Sequence, residues 1–365
     1  MLTSNPGPTS HIPWVEKHRP ATLTKLKQND NILNFFKNCV LHQDMPHLLL
    51  YGPPGTGKTS AVLAMCKEMF GTFAPDRVTE FNASDDRGIA AVRELISKEA
   101  KKYTTVQTLP DGRSIPSFKV IILDEADSMT EEAQDALRVI IEQYSTVTRF
   151  CFICNYINKM TDAVKSRCSV MYFKKLEVDA MESKLKEIAE TESMTLSNKV
   201  LNTIIEVSSG DMRKAIGYLQ NVAYVYAYKK LAHKKFTDMT PAEQEFVLSD
   251  YATTPVSKDV TEDDIYKIAA MLSKTQVKTI YDKASNCKSV LEIMTLTKET
   301  MKTGYPIDVI IEQINNHILS NDSIPDLTKA KILSKSGLNL FKLKESANEQ
   351  IQLLQYFSNI FAVTN

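Results

Sequence analysis

Between residues 45 and 173 short β-prone runs alternate with longer stretches of helical spacing, and beyond Phe173 that alternation stops. The runs His47–Tyr51, Arg77–Phe81, Lys119–Leu123, Arg149–Ile153 and Ser169–Phe173 predict strands. Two of them are almost unbroken apolar sequence, which suits central strands of a parallel sheet covered on both faces. Thr59–Phe70, Ile89–Tyr103 and Glu131–Gln143 lie between them and carry apolar residues at helical intervals. This order predicts a doubly wound α/β domain with a parallel sheet.

After Phe173 the pattern predicts helices at Asp179–Glu192, Ser197–Ser208 and Met212–Tyr228, with Ser208-Ser-Gly-Asp211 as a turn that also caps the third. Residues 229–260 hold a lysine-rich stretch followed by Pro241 and Pro255, which predicts an irregular connection with a short helix. Helical spacing resumes at Glu262. It includes Ile307–Leu319 and one long helix, Leu340–Phe361, on which Leu343, Ala347, Ile351, Leu354 and Phe361 form an apolar stripe. The expected division is an α/β domain over 1–174, with 1–11 disordered, then helical domains over 175–270 and 271–365, the last for packing or oligomerisation.

Composition narrows the class. The chain has 365 residues, 43% apolar and 24% charged, which argues against a disordered or fibrous protein. Its 44 basic and 44 acidic residues cancel, so it is no uniformly basic nucleic-acid binder. Residues 1–174 carry 21 basic against 19 acidic groups, and residues 175–365 carry 23 against 25, so neither half is a basic block. No apolar run approaches the roughly 20 residues of a membrane span, and no secretory signal opens the chain, so no membrane partner and an intracellular location are expected. Of six cysteines only Cys151 and Cys154 have metal-pair spacing. Their apolar surroundings favour buried small hydrophobes over zinc.

The candidate chemistry begins directly after the first predicted strand. Gly52, Pro53, Pro54, Gly55, Thr56, Gly57, Lys58 and Thr59 fit the phosphate-loop pattern and open a helix, with Ser60 next. Glycines let backbone N–H groups close around phosphates, the helix terminus adds positive potential, Lys58 reaches the terminal phosphates, and Thr59 is a Mg²⁺ ligand. Asp124 and Glu125 end the strand Lys119–Leu123, the first suited to Mg²⁺ and the second to the attacking water. Asp127 reads as a cap for the following helix. Asn155 ends the next strand, where an amide bridges water and phosphate. Arg213 sits in the first turn of a helix, where a cation opposes the helix dipole, and points to an external anion. ATP and Mg²⁺ are the implied cofactors, and ATP hydrolysis the implied reaction.

Together these elements resemble an AAA+ ATPase. Pro13-Trp-Val-Glu-Lys-His-Arg-Pro20 is similar to the opening box of replication factor C clamp-loader subunits, and Glu80–Gly88, Ile122–Met129, Ser166–Cys168 and Gly210–Ile216 resemble its further boxes in order. The match is close over residues 12–222. The wording around Thr148–Tyr156 is most similar to the small-subunit type numbered 2 in one naming and 4 in another. The resemblance implies an AAA+ domain, a helical lid and an all-α collar in a heteropentamer. That assembly uses ATP to open the sliding clamp PCNA and close it on primer–template DNA in the nucleus, during replication and repair. Carried over, Val15 and Arg19 line the nucleotide pocket, Asn155 and Arg213 are the two sensors, and Arg167 is an arginine finger that reaches the neighbouring subunit's ATP. Arg87, Arg93 and Lys159 are the implied DNA contacts. His18 stands where the family usually has Tyr, Val139 replaces a frequent Arg, and Lys159 stands where Arg is common. The alternatives are another AAA+ DNA motor of the branch-migration helicase type, or a non-hydrolysing nucleotide-binding scaffold.

Overall fold

Five parallel strands in the order β2-β5-β6-β1-β7 form the central sheet of the computed structural model, which describes residues 12–83, 89–102, 107–109, 112–231 and 260–364. The chain divides into two units, residues 1–258 and 259–365. In the first, α1 (Trp14–Lys17) and α2 (Asp30–His42) precede β1 (Leu48–Tyr51) and α3 (Lys58–Phe70). Next come α4 (Ala74–Arg77), β2 (Val78–Asn82) and α5 (Ile89–Ala100), then a small hairpin of β3 (Gln107–Thr108) and β4 (Ser114–Ile115). The sheet is completed by β5 (Lys119–Asp124), α6 (Glu131–Tyr144), β6 (Thr148–Cys154), α7 (Asp162–Lys165) and β7 (Ser169–Tyr172). Three helices follow: α8 (Val178–Thr191), α9 (Asn198–Ser208) and α10 (Met212–Leu231).

Side chains alternate across the sheet and make two cores. Leu48, Leu50, Val120, Ile122, Cys151 and Ile153 face α2 and α3, packing on Phe36, Met65 and Phe70. Leu49, Ile121, Phe150, Phe152 and Cys154 face the other way, onto Ile96, Leu137, Ile140 and Ile141 of α5 and α6. Coverage on both faces explains why the central strands read as continuous apolar runs. Cys151 and Cys154 are three residues apart on one strand, so they enter opposite cores and share no site. Burial pushes both thiols up, Cys154 to about 12, which keeps them protonated and inert.

All five expected strands are present. The helix α2 and the β3–β4 hairpin were not anticipated. Asn29 caps α2 by accepting from Asn31 N at 3.0 Å, and Ile32, Phe36 and Cys39 supply its buried stripe. In α8–α10, Asp211 caps α10 as expected, its Oδ1 accepting from Arg213 N at 2.8 Å and Lys214 N at 3.3 Å. The expected connection over 229–260 falls largely outside the described residues.

The second unit is helical among its described residues: α11 (Glu262–Ile268), α12 (Lys274–Asn286), α13 (Val290–Met301), α14 (Ile307–Ser320), α15 (Asp326–Lys344) and α16 (Glu349–Thr364). Its core gathers Ile310, Ile311, Ile314 and Ile318 around Tyr356, Phe357 and Ile360. The long helix expected over Leu340–Phe361 is two helices. Ser346 adopts φ 62°, and Asn348 Oδ1 accepts from Ile351 N at 3.0 Å to start α16. The apparent stripe therefore spans a break, and Ile351 is exposed. Among the described residues no helix is long and apolar enough to cross a membrane.

Candidate functional site

Adjacent parallel strands bring their C-terminal ends to one crevice, and here β1, β5 and β6 do so in register. Beyond β1 the loop turns sharply. Gly52 has φ 141° with the Phe173 carbonyl where a Cβ would stand, and Gly55 has φ 70° with Asp211 equally close. The loop closes on α3, whose first residues, Lys58 and Thr59, are buried.

Lys58 Nζ donates to Gly52 O at 2.6 Å, Pro53 O at 2.9 Å and Asn155 Oδ1 at 3.0 Å. Burial, and then the nearby Arg213 charge, pull this ammonium below its ordinary range, while Asp124 and Asp127 act in the opposite direction. Two cations thus converge on one crevice, an arrangement suited to a multiply charged anion. Thr59 Oγ1 donates to Asp124 Oδ2 at 2.8 Å, and Glu125 N donates to Asp124 Oδ1 at 2.9 Å. Glu125 itself has φ 56°, a left-handed conformation that costs a non-glycine residue about 1–3 kcal/mol and is concentrated at functional sites. Its carboxylate is exposed at the crevice mouth.

Asp127 does not cap the following helix. Thr130 does, accepting from Ala133 N at 3.3 Å. Asp127 Oδ2 instead accepts from Asn155 N at 3.2 Å and Tyr156 N at 3.1 Å, which fixes the loop that carries Asn155. Gln134 on α6 supports the same loop from below, donating to Lys159 O at 3.0 Å and accepting from Thr161 N at 2.8 Å.

A cleft runs from this crevice between the sheet domain and α8–α10. Val15, Arg19, Gly55, Thr56, Gly57, Ser60 and Arg213 line it, as expected from the sequence, and Pro54 stands exposed at the loop tip. Leu26, Gln28, Leu176, Lys184, Met212 and Ile216 also line it and were not anticipated. They come from four separated segments, and Gln28 Nε2 donates to Thr56 O in the loop at 2.7 Å. The apolar end of the cleft suits a purine base and the cationic end its phosphates.

Other expected site residues lie elsewhere. Arg167 precedes β7, whose first residue pairs with Leu48 at the start of β1, so it belongs to the edge of the sheet opposite the phosphate loop. Its Nε donates to Glu142 Oε1 at 2.8 Å and its NH1 to Ala163 O at 2.7 Å. Lys159 lies beyond Asn155, its ammonium 5.6 Å from the ring centre of the exposed Tyr156. Arg87 and the side chain of Arg93 fall outside the described residues.

A nucleotide loop ahead of a helix, an acidic strand end beside it and a polar residue on the next strand define an AAA-type P-loop ATPase. The family model for the ATPase family associated with various cellular activities matches residues 48–176. Those for the RCF1/5-like AAA+ lid domain and the replication factor C C-terminal domain match residues 183–223 and 272–359. A putative replication factor C small subunit of Acanthamoeba polyphaga mimivirus is 52% identical, over 97% of both chains. Replication factor C subunit 2 of Schizosaccharomyces pombe is 37% identical over 96% of this chain and 94% of its own, and human replication factor C subunit 4 is 33% identical over 96% and 88%. The chain belongs to the replication factor C small-subunit family. It is an ATP-binding ATPase subunit of a clamp-loader-type complex, with an AAA+ domain, a helical lid and an all-α collar. A solved structure of the Thermotoga maritima RuvB branch-migration motor aligns at TM-score 0.48 and 13% identity over 74% of this chain and 80% of that one, too slight a likeness to bear on function.

Proposed function

We propose that this subunit works in a replication factor C heteropentamer that opens the PCNA clamp with ATP and closes it on primer–template DNA. The replication and repair role carries with it a nuclear location. The observation that supports the reading best is the convergence of Lys58, Asn155, Thr59 and Asp124 at one sheet edge, with Arg167 at the opposite edge. The proposed domain limits are AAA+ over 1–174, lid over 175–270 and collar over 271–365.

Each residue has a distinct task. The three protons of Lys58 are engaged by two loop carbonyls and Asn155. An incoming terminal phosphate replaces the carbonyl partners and is held by the ammonium, with loop N–H groups and Arg213 around it. Asn155 and Glu125 position the attacking water, and Glu125 polarises it. Thr59 and Asp124 offer two hard oxygens joined by a 2.8 Å bond, the donor set that Mg²⁺ takes beside water and phosphate oxygens. Mg²⁺ held there would neutralise charge on the phosphates. Arg167 performs its task in trans, stabilising charge on the neighbour's nucleotide only when two subunits are apposed. Lys159, with Arg87 and Arg93, meets the DNA backbone, a contact that gives affinity without reading sequence.

The test is reconstitution of the pentamer followed by ATPase measurement with and without clamp and primed DNA. Stimulation by both is expected. Turnover indifferent to both would sink the reading.

A further inference from the structure

Glu192 follows the last residue of α8, and its side chain is only 3% exposed. A polar side chain buried this deeply requires hydrogen-bond partners. Its two partners come from outside the helix. Lys17 Nζ lies 2.7 Å from Glu192 Oε1, and His18 Nε2 lies 2.5 Å from the same oxygen. The short segment after Pro13 thus supplies two hydrogen-bond partners of a lid carboxylate. Two more ties hold it to the lid side. Trp14 N donates to Gln220 Oε1 on α10 at 3.2 Å, and the buried Trp14 ring stands edge-on to His18. The same segment presents Val15, His18 and Arg19 to the nucleotide cleft. His18 therefore serves twice, as part of the cleft wall and as a partner of Glu192.

We infer that Glu192 is a positioning residue for nucleotide binding: by holding Lys17 and His18 it joins the segment 14–19 to the lid and sets the wall against which the base packs. The inference rests on the nucleotide reading of the cleft. It follows that the wall travels with α8 and α10, so closing the lid on the phosphate loop and gripping the base are one movement. Glu192 touches neither phosphate nor water, so its removal weakens binding and leaves the chemical step alone.

The test uses the full-length chain and a non-hydrolysable ATP analogue, with equilibrium binding and thermal unfolding measured on each variant. Glu192→Ala and His18→Ala should each raise Kd about tenfold, the scale of one hydrogen bond to a charged group. His18→Gln keeps an N–H donor near the Nε2 position and should stay within about threefold of the wild type. In the assembled complex, Glu192→Ala should raise KM for ATP while kcat moves less than about twofold. Unchanged Kd in both alanine variants, with lowered thermal stability, would make the contact a structural tie and overturn the inference. Should Glu192→Ala fail to fold, the His18 pair decides, since equal Kd values for His18→Ala and His18→Gln also overturn it. Absence of binding by the wild-type chain itself would instead indict the nucleotide reading, and the inference would fall with it.

Discussion

Gly55→Ala isolates the contact between the phosphate loop and the lid. An alanine Cβ at this position would stand 1.8 Å from Asp211 Oδ1 and 3.0 Å from Asp211 Cα, so a side-chain rotation alone cannot relieve it. Asp211 caps α10 through Arg213 N and Lys214 N, and Met212 N reaches back to Gly55 O at 3.3 Å. The φ of 70° adds a left-handed strain of about 1–2 kcal/mol for alanine. Displacing the cap adds about 0.5–2 kcal/mol. The expected total is about 1.5–4 kcal/mol. Gly210→Ala is the control, because Gly210 has φ 86° yet meets nothing closer than the flexible Lys175 chain at 3.4 Å, leaving strain alone. Urea unfolding followed by fluorescence of Trp14, the single tryptophan, reads the first unit directly. The Gly55 variant should lose about 1–2 kcal/mol more than the control. It should also bind ATP more weakly, because Arg213 moves with its cap. Equal losses within about 0.5 kcal/mol, with equal ATP affinities, would refute the reasoning.

In the assembled complex, Glu125→Gln should slow hydrolysis on the order of 10²-fold or more with ATP affinity nearly intact, read by single-turnover kinetics. Lys58→Ala should weaken both binding and turnover, read by titration and steady-state assay, because it removes the cation proposed to hold the terminal phosphate. Arg167→Ala should depress hydrolysis on the order of 10³-fold at the neighbouring subunit and leave this chain's own ATP affinity unchanged, checked in mixed assemblies whose other sites are inactivated. Burial, and then the Arg149 charge, lower the pKa of His47 from 6.5 to about 4, and its Nδ1 accepts from Phe150 N at 3.1 Å. The folded state therefore stays unprotonated where the unfolded chain takes up a proton, so stability falls as pH drops from 6.5 towards 4 and levels off below. With its partial exposure discounted, the loss is about 1–2 kcal/mol, measurable by urea unfolding at pH 7 and pH 4.5 and reduced in His47→Gln.

The phosphate loop and Asp124 were legible because they are contiguous signatures with fixed neighbours, strand before and helix after. The other side of the cleft was not. Leu26, Lys184 and Ile216 are ordinary helix and loop residues until the chain folds them together. Asp127 was misread for a local reason: an acid just before a helix commonly caps it, but Thr130 lies nearer the helix start, and the carboxylate is turned to the Asn155 loop. The helix α2 carried its signal in Asn29, Ile32, Phe36 and Cys39 and could have been read. The break between α15 and α16 hid because Leu343, Ala347 and Ile351 keep helical phase across it by coincidence. Asn348, a favoured cap, was the only local sign.

Sheet polarity accounts for the most consequential separation in the molecule. Because β1 and β7 are parallel and in register from Leu48–Ser169 to Tyr51–Tyr172, the loop that leaves β1 lies at one edge and the turn that enters β7 at the other. Arg167 is thus removed from Gly52 by at least the length of a four-residue strand, about 10 Å, with the sheet between. Its ion pair with the exposed Glu142 has the strength of a surface contact, about 0–1 kcal/mol, weak enough to be exchanged in the proposed role in trans. In the role in trans proposed for Arg167, a chain built this way holds one binding cleft and contributes a residue to a second. Its turnover should accordingly depend on which neighbour it meets, and Glu142→Ala, which frees Arg167, should leave the isolated chain as slow as the wild type.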